Sequence, residues 1–180
     1  MWALTITLAY LLDLSIKDPH TRWHPVRLIG GFISAQEKAY RRLIRSELLG
    51  GMLLTSVTIL SVFAISMAAV WMAAQIHWMA AFTLDAALIY FSISPSALAQ
   101  EGRAIHRHLA SGDLGAARKA LSMIVGRDTA ALDQPAITRA VVETISENSV
   151  DALISPLFYA AIGGGPLAMA YRAVNTLDSM

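Results

Sequence analysis

The sequence predicts an all-α, polytopic integral membrane protein with helical loops gathered on the cytoplasmic side. Three observations predict it. Hydrophobic residues make up 56% of the chain and charged residues only 15%, where a soluble domain carries roughly 25% charged residues. The apolar residues gather into charge-free runs approaching or exceeding the ~20 residues a helical span needs. No stretch alternates apolar and polar residues at the strand period, whereas several repeat at the helical one.

Met1 to Leu12 is apolar, and the run continues past Asp13 to Ile16. It lacks the basic start and the small-residue cleavage site of a secretory signal. It reads as a retained span, or as a shallow helix of the same length. Segment 17–47 follows and is rich in Lys and Arg. Pro25 suits a first helical turn, and Ile29, Phe32, Ile33, Tyr40, Leu43 and Ile44 make a helical stripe with Lys38, Arg41, Arg42 and Arg45 among them. Such a helix lies on anionic headgroups or packs, solvated, on the rest of the protein. No charge occurs between Glu47 and Asp85. This is nearly enough for two spans, expected over 51–74 and 78–97, with a turn at Gln75-Ile76-His77-Trp78.

Segment 98–150 carries three further helices. The first runs from Leu98 to Leu109. Ser111-Gly112-Asp113 forms a turn with an N-cap, and the second helix ends at Gly126. The third starts near Asp133, has Pro135 in its first turn, and runs towards Asp151. A last apolar run, expected as a span over 152–171, contains Gly163-Gly164-Gly165-Pro166, which breaks or bends it. Seven of the fourteen Lys and Arg residues lie between Lys17 and Arg45, and six between Arg103 and Arg139. Basic loops stay inside, so 17–47 and 98–150 are expected in the cytoplasm, joined by the helical hairpin. The whole, 1–180, reads as one domain.

A net charge of +1 and the lack of a zinc-finger or basic-tail motif exclude a nucleic-acid partner. The absence of cysteine excludes disulfides and thiolate chemistry.

Several polar clusters are candidates for chemistry. Glu143, Glu147 and Asp151 are spaced i, i+4, i+8, with Asn148 slightly to the side and Ala140 and Thr144 in the same arc. Stacked carboxylates repel, and Mg²⁺, which takes oxygen ligands, would remove that cost. The bland account is a solvated acidic face. In Gly126-Arg127-Asp128-Thr129 the Arg suits phosphate and the Asp a metal. The bland account is a helix end and turn, and the spacing is not that of a Walker loop. In Tyr171-Arg172-Ala173-Val174-Asn175-Thr176-Leu177-Asp178-Ser179, Asn175 and Asp178 are helical neighbours and Arg172 suits phosphate, beside the plainer reading of a polar span end. Asp18-Pro19-His20-Thr21-Arg22-Trp23-His24-Pro25-Val26 is a loop that contacts an anionic substrate or simply holds Trp23 at the interface. Asp13 is expected to reach the interface. Asp85, deeper in an apolar run, is a functional candidate as an intramembrane carboxylate. His77 reads as a headgroup-level turn residue.

Four of these motifs, in this order, resemble the CbiB/CobD family. They are Leu12-Asp13 through His24-Pro25-Val26-Arg27-Leu28-Ile29-Gly30; Val125-Gly126-Arg127-Asp128-Thr129 with Leu132; Val142-Glu143-Thr144-Ile145-Ser146-Glu147-Asn148 with Asp151 and Pro156-Leu157-Phe158; and Ala170 to Met180. The chain departs from the family pattern at Lys17, Ser146, Ala152 and Arg172. The resemblance implies the N-terminal part of a longer inner-membrane enzyme, inactive by itself. The implied reaction is ATP-dependent amide formation between adenosylcobyric acid, a corrinoid, and (R)-1-amino-2-propanol O-2-phosphate, giving adenosylcobinamide phosphate. It implies ATP and Mg²⁺ as cofactors. Its partners would be the corrinoid, aminopropanol phosphate, membrane lipid and further late cobalamin-pathway membrane enzymes. By resemblance, Asp128 and Glu147 are catalytic. His24, Arg27, Arg127 and Arg172 hold substrate or phosphate, and Asn148 and Asn175 hold nucleotide. Glu143, Glu147, Asp151 and Asp178 bind metal. A transporter, or a non-catalytic AmpE-like sensor or scaffold, are the competing readings. A scaffold tolerates alanine at Glu147 and an enzyme does not.

Overall fold

Residues 2–16 and 24–180 are described by a computed structural model of the chain. Lys17 and the loop Asp18-Pro19-His20-Thr21-Arg22-Trp23 lie outside the described residues. Among those described there is no strand. The helices are α1 (Trp2–Ile16), α2 (Pro25–Leu43), α3 (Glu47–Ile76), α4 (Trp78–Ser92), α5 (Pro95–Ala110), α6 (Leu114–Ser122), α7 (Gln134–Ser149) and α8 (Ser155–Asp178), with a π-helical turn, Val150–Ile154, joining α7 to α8.

Local signals start these helices. The His24 Nδ1 accepts from the Val26 N–H and Pro25 opens α2; the Ser46 hydroxyl oxygen accepts from Leu49 at the head of α3. His77 ends α3 and caps α4, its Nδ1 accepting from Met79. Asp113 and Asp133 cap α6 and α7. In each case a side chain takes an N–H that the first helical turn leaves without a partner. α5 begins three residues before the expected Leu98, at Pro95. α6 ends at Ser122, four residues short of the expected Gly126, and the chain leaves through tight turns from Leu121 to Val125.

α1, α3, α4 and α8 form a bundle. In α3 the buried positions are Thr58 and Ser66, while Leu60, Ile65, Trp71 and Ile76 face outward. That inversion suits hydrocarbon, where small and polar side chains meet between helices and large apolar ones meet lipid. Three helical runs are long and apolar enough to cross a membrane: Glu47–Ile76, Trp78–Ala110 and Gln134–Asp178. α1, with 15 residues, is about 22 Å long, shorter than the ~30 Å hydrocarbon core. α2 lays Ile29, Ile33 and Gln36 on the bundle, and the Gln36 amide donates to the Thr58 hydroxyl at 2.9 Å. α5, α6 and α7 build a separate small core of Ile105, Ala117, Leu121, Ile137 and Ala140.

The expected span over 152–171 is corrected. The chain enters the bundle along α8, reverses, and returns. Gly163 has φ −140°, ψ 21° and Gly164 has φ 67°, ψ −160°, which interrupts the helix. In a continuous helix Asp151 and Tyr171 would stand about 30 Å apart at 1.5 Å per residue. Instead the Tyr171 hydroxyl donates to Asp151 Oδ1 at 2.6 Å, and the Tyr159 and Tyr171 rings stack with centroids 5.1 Å apart. α8 is therefore a re-entrant hairpin with both ends on the side that carries α5–α7. Non-helical backbone at membrane depth is tolerated only when buried in protein, and Gly164, Gly165 and Pro166 are buried.

Two buried aspartates complete helix starts on other elements. Asp13 of α1, 1% exposed, accepts from the backbone N–H (2.9 Å) and hydroxyl (3.1 Å) of Ser96 at the head of α5. It is buried against that helix start and not left exposed at the end of α1. Asp85 of α4 accepts from the Gly165 N–H at 2.7 Å where α8 resumes. Both starts carry a proline beside the capped residue, Pro95 and Pro166.

Candidate functional site

The Gly126–Thr129 loop is pinned to α6. Buried Thr129 donates its hydroxyl to the Arg118 carbonyl at 3.0 Å, and Arg118 Nε donates to the Leu132 carbonyl at 2.8 Å. Asp128 folds back on the loop, its Oδ1 accepting from the Ala130 N–H at 2.9 Å. This presents Arg127 to α7, where its guanidinium donates to the Glu143 carboxylate in an exposed ion pair. Two of the sequence motifs thus meet through one contact.

On α7, Ile137, Ala140 and Thr144 turn into the α5–α7 core, and Glu143 and Glu147 face out. Ala140 and Thr144 therefore turn away from the exposed acids, because α5 and α6 cover that side. Beyond Glu147 the helix widens into the π-turn, with Ser155 N–H bonding to the Val150 carbonyl. Such turns often occur at functional sites. Here it offsets Asp151 from the simple i, i+4, i+8 arc and directs its carboxylate to Tyr171.

The returning arm of α8 brings the last motif to the same place. Arg172 reaches Asn175 Oδ1 (3.4 Å) and the Ser94 hydroxyl (3.5 Å), while the Ser94 N–H bonds to the Ala152 carbonyl of the π-turn at 2.9 Å. Asp151, Ser94, Tyr159, Tyr171, Arg172 and Asn175 thus form one linked polar group. It lies about 12 Å along the α7 axis from Glu143 at 1.5 Å per residue. Glu147 lies between the two groups, and Asn148 beside it is half-buried.

The remaining expected residues stand apart from this group in role. His24 is buried, caps α2, and sets its ring edge-on to Phe91 at 5.3 Å. Arg27 is exposed on the first turn of α2, and Asp178 is exposed at the end of α8. Among the described residues no three His, Asp or Glu side chains come together to hold a metal ion. The expected set of Glu143, Glu147, Asp151 and Asp178 is therefore not assembled as a cage: Arg127 engages Glu143, Tyr171 engages Asp151, and Asp178 is exposed about two helical turns past Tyr171. Glu147 is exposed, and Asp151, one turn further along, is half-buried. Sequence reasoning did not single out Ser94, Tyr159 or Arg118. The Ser94-Pro95 break inside an apolar run was the one available signal.

The sequence matches the family described as CobD/Cbib protein over residues 6–180, nearly its whole length. The chain belongs to the CobD/CbiB family. A cobalamin biosynthesis protein CobD of Clostridium perfringens is 44% identical over 98% of the chain and 56% of the relative. The CobD of Photorhabdus laumondii is 45% identical over 96% and 55%. The cobalamin biosynthesis protein CbiB of Salmonella choleraesuis is 39% identical over 100% and 57%. The chain spans a little over half the length of these CobD/CbiB relatives. No solved structure matches it.

Proposed function

We propose that the full-length protein takes part in cobalamin biosynthesis as adenosylcobinamide-phosphate synthase, an inner-membrane amide-forming ligase with its polar site in the cytoplasm. The carboxylate of adenosylcobyric acid would take the γ-phosphoryl group of ATP, with ADP leaving. The amine of (R)-1-amino-2-propanol O-2-phosphate attacks the acyl phosphate, and inorganic phosphate leaves. Family membership and the names of the relatives support the pathway. The observation that carries the site is the Tyr171–Asp151 hydrogen bond, because it unites the acidic-helix motif with the C-terminal motif.

Mg²⁺ would supply charge neutralisation at the phosphates, held by Glu147 and Asp151. Arg127 and Arg172 would grip phosphate oxygens. Arg127 is already oriented by Glu143, and Arg172 sits beside Ser94 and Asn175. Asn148 and Asn175 would hydrogen-bond the nucleotide. Asp128, exposed on a rigid loop, would take the amine's proton. Arg27 would face the corrinoid's peripheral groups, and His24, buried at the head of α2, would hold in place the turn that carries it.

The test is complementation. In a cobalamin-producing bacterium lacking its resident gene of this family, the full-length parent is expected to restore growth on cobyric acid. Its Glu147→Ala variant is expected to fail there while both grow on cobinamide. An expressed parent that fails overturns the reaction and favours the scaffold reading. Equal rescue by both overturns the role of Glu147.

A further inference from the structure

We propose that Asp85 is a positioning residue for this site. By holding the hairpin's turn from inside the bundle, it sets where Tyr171, Arg172 and Asn175 meet Asp151 and Ser94. The functional half of the proposal rests on the reading above, whereas the geometric half stands on the hairpin alone.

Asp85 lies between charge-free runs and is 8% exposed. Its Oδ1 accepts from the Gly165 N–H at 2.7 Å. The reversal at Gly163 and Gly164 breaks the helical ladder, so the N–H groups of the restarting helix need acceptors from elsewhere. In hydrocarbon an amide with none is strongly disfavoured. Asp85 is the acceptor for one of them.

The fit around it is close. A Cβ on Gly164 would stand 2.8 Å from Asp85 Oδ1. A Cβ on Gly165 would stand 2.7 Å from Leu88 Cβ and 2.8 Å from the Asp85 carbonyl oxygen. The turn thus packs on α4 with no room for a side chain at Gly164 or Gly165. From Gly165 about two helical turns lead to Arg172, which reaches Ser94 just past the end of α4. One element therefore anchors the hairpin at its turn and receives its guanidinium at its mouth. A shift or rotation at the turn passes along a rigid arm to the residues facing Asp151.

This role needs an acceptor oxygen and not a charge. An intramembrane carboxylate serving an ion or proton path would need the charge itself. Asparagine separates the two, since it keeps Oδ1 and is neutral.

The experiment uses the full-length protein in membranes, with spin labels on Ser149→Cys and Ser179→Cys. This part of the chain has no native cysteine, and any in the remainder is replaced. The parent and Asp85→Asn are expected to give one short inter-label distance and similar turnover. Asp85→Leu, inserted at the parental level, is expected to give a longer, broader distribution and turnover lower by about 100-fold, the scale of a 1 Å misplacement. An unchanged distance in Asp85→Leu overturns the proposal whatever its turnover. Turnover lost in Asp85→Asn at an unchanged distance also overturns it and assigns a role to the charge. A parent without turnover, with distances that still respond to Asp85→Leu, upholds the anchor and overturns the ligase reading.

Discussion

The bundle and the α5–α7 subdomain solve opposite packing problems with the same kind of helix. In the subdomain, Ile105, Leu121 and Ile137 fill the centre and charged residues lie outside. In the bundle, Ala9, Ala160 and Ala168 pack around Ile89, and Met169 and Ala173 pack around Ile29 and Ile33, while Leu, Ile and Trp face out. The difference lies in the solvent. Water drives large apolar side chains inward, whereas lipid is as apolar as leucine and rewards close backbone approach instead. The polar site sits where the two regimes join, at the π-turn and the mouth of the hairpin. There helices leave the bundle and backbone groups can be spared from regular ladders.

The largest test of this contrast is a pair of truncations. Leu121→Ala in the subdomain removes a fully buried side chain and should cost about 2–5 kcal/mol. It should appear as lost amide hydrogen-exchange protection in α5–α7. Leu60→Ala on the outer face of α3 leaves no internal cavity and should leave protection within about 0.5 kcal/mol of the parent. Equal losses would break the comparison.

A smaller effect is expected inside the bundle. Thr58→Val removes the acceptor of the buried Gln36 amide. In membranes such interhelical bonds contribute about 0.6 kcal/mol on average and up to ~2, so thermal unfolding in detergent should fall by a degree or a few. A loss as large as that of Leu121→Ala would mean that polar contacts, and not close packing, hold α2 on the bundle.

The smallest stability effect belongs to the site. The Arg127–Glu143 pair is more than half exposed on both sides, and such pairs contribute about 0–1 kcal/mol. Arg127→Ala should leave unfolding nearly unchanged and still abolish growth on cobyric acid. A variant that unfolds early, or that grows normally, would assign this pair to the fold or to neither.

Much of this was legible in the residues. Hydropathy marked α3 and α4, and the period of 3.6 marked α2 and the three subdomain helices. Asp113, Asp133 and Pro25 announced helix starts because capping acts within one turn. The acidic helix and the Gly-Arg-Asp-Thr loop could be picked out as polar clusters.

The sequence by itself determined the helical class, the apolar runs and most of the local caps, all of which depend on neighbours a few residues apart. Only the tertiary structure decided that the run after Asp151 turns back at Gly163–Gly165 and does not cross. It also decided that Asp13 and Asp85 cap helices far along the chain, and that Tyr171 claims Asp151 while Arg127 claims Glu143. The physical reason is range. A crossing helix and a buried hairpin of the same composition have the same hydropathy. What separates them here is an acceptor on α4, eighty positions earlier than the amide it serves.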